Sequence, residues 1–98
     1  MTDFTFHADP GHAWLEVARF ELDAVGLSPA AFSRYSYQSD RNHMIPALAR
    51  IYYLEEDCDA PKFLTAWEKH NNRRAEIGDK WTDNDSEIRW FPAINQTR

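Results

Sequence analysis

Four carboxylates fall within five residues, Glu55, Glu56, Asp57 and Asp59, with Cys58 between the last two. Clustered acids of this kind can hold a calcium ion or divide general-acid and general-base work between them. An EF-hand alternates its ligands over about twelve residues around a central glycine, and this segment has neither feature. Paired-carboxylate glycoside hydrolysis sets its two acids across a substrate cleft, for which a chain of 98 residues leaves little volume. The segment reads more simply as a strand end running into a helix. Asp59 is expected as its N-cap, with Pro61 in the first turn, where no amide donor is needed. Asp57 and Asp59 would then complement the helix dipole for about 0.3–1 kcal/mol each, leaving Glu55 and Glu56 to form an acidic contact patch.

His7, Asp9 and His12 flank a single turn, and imidazole with carboxylate suits zinc, nickel or copper. The spacing matches no established motif, and further ligands would have to come from His43, Asp57 or Asp59. The competing reading is a hairpin whose turn is capped by the Asp9 side chain. Cys58 is the only cysteine, so a disulfide within the chain and a CxxC pair are both excluded, a reducing compartment is expected, and the neighbouring acids oppose thiolate formation. No nucleophile elbow, HExxH helix, P-loop or dinucleotide fingerprint is present, and three glycines provide no phosphate-cradling loop. Neither catalysis nor a cofactor is therefore expected, with a metal-binding module or small metal enzyme at His7, Asp9 and His12 as the alternative.

The elements that must position these residues can be read from period and punctuation. Asp3 to His7 and His12 to Val17 alternate around Asp9-Pro10-Gly11 and form a hairpin with Ala13, Leu15 and Val17 inward and His12, Trp14 and Glu16 outward. Ala18 to Val25 suits two turns of helix stopped by Gly26, and Ser28-Pro29 starts a further turn through Phe32. Tyr35 to Tyr37 reads as a strand, residues 38–46 as a surface loop, and Ala47 to Glu55 as a central strand rich in β-formers. The main helix should run from Asp59 to about Glu76 on a stripe of Phe63, Trp67 and His70, with Gly78 as its stop. Asp79 to Asp85 is turn-rich, and Glu87 to Phe91 alternates as a last strand. The expected class is α+β: a small antiparallel or mixed sheet of four to five strands with one main and one short helix on one face, in a single domain over 1–98.

Four Trp, four Tyr and six Phe exceed what one small sheet and two helices can bury. Some of Trp14, Tyr35, Tyr37, Tyr52, Trp81 and Trp90 are therefore expected at the surface or an interface. Eleven Lys and Arg against sixteen Asp and Glu give a net charge of −5, which disfavours direct binding to nucleic acid. It would draw the chain toward a basic protein surface, while the simpler reading of a charge this size is that it keeps a small domain soluble. An accessory nucleic-acid binder using Arg34, Arg41, Arg50, Arg73 and Arg74 is the remaining alternative. The N-terminal residues lack the basic and apolar regions of a signal peptide, and no apolar run reaches the ~18 residues of a membrane span, so a cytoplasmic protein with no membrane partner is expected.

Three segments carry a resemblance: Asp9-Pro-Gly-His-Ala-Trp-Leu-Glu-Val17, Tyr35-Ser-Tyr-Gln38, and Tyr53-Leu-Glu-Glu-Asp-Cys-Asp-Ala60 followed by Phe63-Leu64. Over roughly residues 5 to 66 they resemble a family of small phage and mobile-element proteins with DPGHGWLxV, YSY and YLEEDCDA segments. Ala13 stands where that family usually has glycine, the stretch from Ser39 to Arg50 is longer, and the chain after His70 is distinct. The resemblance implies an anti-CRISPR-like inhibitor acting in the host cytoplasm. Such an inhibitor would dock on a basic, nucleic-acid-binding surface of a host protein or ribonucleoprotein complex, a CRISPR effector foremost, and block its DNA binding. Under it, Glu55, Glu56, Asp57, Asp79, Asp83, Asp85 and Glu87 would meet partner cations, and Trp14, Tyr37 and Trp81 would anchor the contact. A homodimer is compatible with the same surface.

Overall fold

The computed structural model describes residues 2–95. Strands β1 (Phe4–Ala8) and β2 (Ala13–Ala18) form the expected hairpin, and helix α1 (Arg19–Ala24) follows directly. Gly26, at φ 76°, takes the left-handed position that ends this helix. After a 3-10 turn at Pro29–Ala31 come the two-residue strand β3 (Tyr37–Gln38), strand β4 (Ile51–Glu55), helix α2 (Asp59–Asn71) and strand β5 (Ile77–Trp81). The sheet is mixed, in the order β3-β4-β2-β1-β5, with β5 parallel to β1 and every other pairing antiparallel. The fold is thus α+β, with β4 interior and β2 at the centre.

The first face of the sheet carries the core. Phe4, Leu15, Val17, Tyr52 and Leu54 meet Leu22 of α1 and Ala60, Phe63 and Trp67 of α2 in one buried cluster. Residues 60, 63 and 67 share one side of the helix, whereas His70, expected in the stripe, is exposed. Phe4 meets Phe63 and Trp67 edge-to-face at 5.1 and 5.4 Å, a geometry that adds about 0.5–1.5 kcal/mol per pair to burial.

Several expectations are corrected. Helix α2 stops at Asn71 because Asn72 adopts φ 55°, a left-handed cap that asparagine tolerates nearly as well as glycine. Gly78 therefore ends nothing. It lies within β5, where a Cβ would come 3.1 Å from Thr2. Ile77–Trp81 is a strand although the turn-rich stretch is expected to begin at Asp79, because its backbone pairs in parallel with the edge of β1; its exposed Asp79 and Lys80 discourage further pairing. Strand β4 begins at Ile51, and Ala47–Ala49 is a 3-10 turn. The loop before it is organised by buried Asn42, whose side chain both donates to Ile51 O and accepts from Ile51 N at 2.9 Å. Glu87–Trp90 is a 3-10 turn, not a strand, because the Ser86 hydroxyl accepts from Ile88 N and starts a helical turn.

Asp59 is not the N-cap. It is 2 % exposed, inside the first turn of α2, and its carboxylate accepts from Ser33 N, Ser33 Oγ and Ser36 Oγ. It ties the loop before β3 to the helix. Cys58 holds the N-cap position without a side-chain cap, and Glu55 closes the turn ahead of the helix, accepting from Asp57 N and Cys58 N, both at 2.9 Å.

Because Phe63 is fully buried against both sheet and helix neighbours, Phe63→Ala should lower unfolding free energy by about 3–5 kcal/mol. Denaturant titration checks this, and a loss below about 1 kcal/mol would show that the core collapses around the cavity.

Candidate binding cleft

The side chains on the second face of the sheet follow from strand alternation: Trp14 opposite Glu55, Glu16 opposite Tyr53, and Tyr37 opposite Tyr53 on the other side. A face carrying Trp14 and Tyr53 cannot stay in water without cost. It is covered by the C-terminal segment, residues 86–95. Gln38 N donates to Pro92 O at 2.9 Å, Ile94 N donates to Ser36 O at 2.9 Å, and Tyr37 pairs with Ala93. Phe91 packs on Tyr53 at 5.6 Å, and the Asn95 amide donates to Pro29 O and Phe32 O.

One buried ion pair fastens this strap to the hairpin. The Asp9 side chain is fully buried, and Arg89 contacts it through two nitrogens, Nε to Oδ2 at 2.6 Å and Nη2 to Oδ1 at 2.7 Å. Oδ2 also accepts from Ser86 N at 2.8 Å, and Oδ1 from Gly11 N and His12 N at 3.0 and 2.9 Å. Asp9 caps its turn as the sequence implies, but it also receives the far end of the chain. Gly11 makes room for this: a Cβ there would lie 2.6 Å from Arg89 Nη2. Arg89 holds the Asp9 carboxyl well below the usual carboxylate range, and the three amide donors act in the same direction against the opposing effect of burial.

The guanidinium carbon of Arg89 lies 5.7 Å over the Trp14 ring, and Tyr37 and His12 complete that ring's surroundings at 6.0 and 5.8 Å. Trp14, expected as an exposed anchor, is 2 % exposed. The strap buries the outer face of the strand on which it sits. Trp14 instead forms the floor of a cleft of about 550 Å³, walled by Tyr35, Tyr37 and Trp90 and carrying Glu55, Asp57 and Asp85. His12, Cys58 and Arg89 complete the lining.

The structure thus brings five of the expected contact residues together: Trp14, Tyr37, Glu55, Asp57 and Asp85. Glu56 and Asp79 are exposed elsewhere, and Asp83 accepts a hydrogen bond from Trp81 Nε1 at 2.7 Å outside the cleft. Glu87 lines a second cavity of about 400 Å³ with His7, Glu16, Tyr53 and Lys80. Arg89 has no role in the sequence reading, and Tyr35 and Trp90, 57 % and 78 % exposed, are not among its expected contact residues. Their types marked them as surplus aromatics, but only the path of the strap puts them on one cleft.

His7, Asp9 and His12 do not converge. His7 Nε2 pairs with Glu16 Oε1 at 2.7 Å, Asp9 is saturated by Arg89 and amides, and His12 turns toward Trp14. Among the described residues no three His, Cys, Asp or Glu side chains are grouped to hold a metal ion. In the second cavity, burial above all, with Glu16, Glu87 and Asp40 nearby, pushes the Tyr53 phenol up to about 12, so it stays protonated at neutral pH. Of the arginines considered for nucleic acid, Arg73 is bonded through two nitrogens to Asp3 and Arg34 lies over Tyr35. Arg50 is half-buried, and Arg41 and Arg74 are exposed on separate segments. No helix among the described residues is long and apolar enough to cross a membrane.

The Asp9 clamp yields a pH prediction. Its folded carboxyl titrates below the unfolded value of about 3.9, so its contribution is complete above that pH and is lost as pH falls toward the folded pKa. Asp9→Asn should destabilise by about 3–5 kcal/mol at neutral pH, and its deficit against the parent should shrink as pH falls below about 4. Equal deficits at both pH values, measured by urea unfolding, would contradict this assignment. Compared with known proteins, the chain matches no family model, no curated protein and no solved structure.

Proposed function

We propose that this chain is a non-enzymatic binding protein whose acidic, aromatic cleft docks on a basic surface of a macromolecular partner. The observation that carries the reading is the convergence of Trp14, Tyr35, Tyr37 and Trp90 with Glu55, Asp57 and Asp85 on one concavity of a chain with net charge −5. Aromatic anchors ringed by charge are what concentrates binding energy at protein interfaces, and an acidic rim steers toward cationic surfaces while repelling phosphate. The groups most suited to catalysis are occupied structurally: Asp9 by Arg89, Asp59 by two serines, His7 by Glu16.

Together with the likeness to small phage proteins, this favours an inhibitor of a host nucleic-acid-handling complex, a CRISPR effector foremost. It would act in the cytoplasm by covering the surface that otherwise holds DNA. Asp57 and Asp85 are exposed, so reversing both to Lys should leave the fold intact, which urea unfolding of the variant checks. In a mobility-shift assay with the isolated complex and its DNA, the parent protein should displace DNA. The Asp57→Lys/Asp85→Lys variant should need at least about tenfold more protein, the equivalent of 1.4 kcal/mol. Equal displacement by both would refute the reading.

A further inference from the structure

Resting on that reading, the geometry points to a narrower occupant: we infer that the cleft receives an arginine side chain of the partner, stacked on Trp90 and paired with Asp57 and Asp85. The cleft volume of about 550 Å³ lies within the ~300–1,000 Å³ range of pockets that enclose a ligand group. Its chemistry is two-part, aromatic faces and carboxylates. A guanidinium satisfies both at once, because it is planar, stacks on a ring and presents forked donors to a carboxylate. An ammonium is compact and strongly hydrated, and it gains less from the rings.

The cleft already contains this pairing within the chain. Arg89 lies over Trp14 while bonded to the Asp9 carboxylate, and at the rim Arg34 sits 5.3 Å over Tyr35 with a 3.3 Å bond to its hydroxyl. These two rings are thus engaged by internal guanidinium groups. Trp90 is the wall left open: it is 78 % exposed, and no cation or second ring lies against it among the described residues. Of the carboxylates, Glu55 is used by the Asp57 and Cys58 amides. Asp57 is exposed, and Asp85, 69 % exposed, touches Arg89 only at 3.8 Å. Two loosely held carboxylates and one uncovered indole are the complement of one incoming guanidinium, and among the described residues the only arginine lining the cleft is already committed to Asp9.

The four tryptophans provide the readout, since Trp14 and Trp90 line the cleft while Trp67 and Trp81 lie outside it. The isotope-labelled full chain is titrated with the end-blocked peptide Gly-Gly-Arg-Gly-Gly, and separately with its Lys and Gln analogues, while the indole N–H signals are followed. The arginine peptide should move Trp90 and Trp14 but not Trp67 or Trp81, and bind at least about fivefold more tightly than the lysine peptide. Trp90→Ala, and independently Asp57→Asn/Asp85→Asn, should each weaken it by a similar factor. Equal affinity for Arg and Lys, movement centred on Trp81, or no response to any peptide would each overturn the arginine assignment. If the Asp57→Lys/Asp85→Lys variant still needs at least about tenfold more protein to displace DNA in that case, the acidic-face reading stands and only the arginine assignment falls. If the variant displaces DNA normally, the wider reading falls as well.

Discussion

A carboxylate removed from water must find compensation on every lone pair, and Asp9 does so with two arginine nitrogens and three backbone amides. These partners come from opposite ends of the sequence, the β1–β2 turn and residues 86–89. The constraint therefore acts in two places. It shapes the turn that registers the hairpin, and it fixes the strap across the second face of the sheet. Without the strap, Trp14 and Tyr53 would face water. With it, Trp14 becomes the floor of a cleft whose other walls include Trp90 of the strap itself.

The hairpin, α1 with its Gly26 stop, and the start of α2 were legible because each rests on local chemistry: alternation, a left-handed glycine, an early proline. The remaining differences arise where a distant partner decides or where one local cap outweighs the periodicity. Ile77–Trp81 has one large apolar residue at each end of a polar, glycine-containing run, and only the waiting edge of β1 makes it a strand. Glu87 to Phe91 alternates like a strand, yet Ser86 ahead of it is a helix-start signal, and that local cap prevails. Trp14 was correctly placed on the outer face but not in its environment. Periodicity tells which side a residue faces and says nothing about what arrives from eighty residues away to cover it.

The acids behave in the same divided way. Asp59, Asp9 and Glu55 look alike in sequence to Asp57 and Asp85, but the first three hold the fold together, each through hydrogen bonds to neighbouring segments or amides. The latter two remain at the surface, on the cleft. A net charge of −5 is thus a poor guide to the contact surface, and subtracting the structural carboxylates leaves a smaller acidic patch beside an exposed indole.

Asp9 and Arg89 act as one unit joining strap and sheet, and a double-mutant cycle measures that coupling. Unfolding free energies of the parent, Asp9→Ala, Arg89→Ala and the double variant should give a coupling energy of about 2 kcal/mol or more. The double variant should then be little worse than either single one. A coupling below about 0.5 kcal/mol, the level of independent sites, would show that the two residues do not act as a unit.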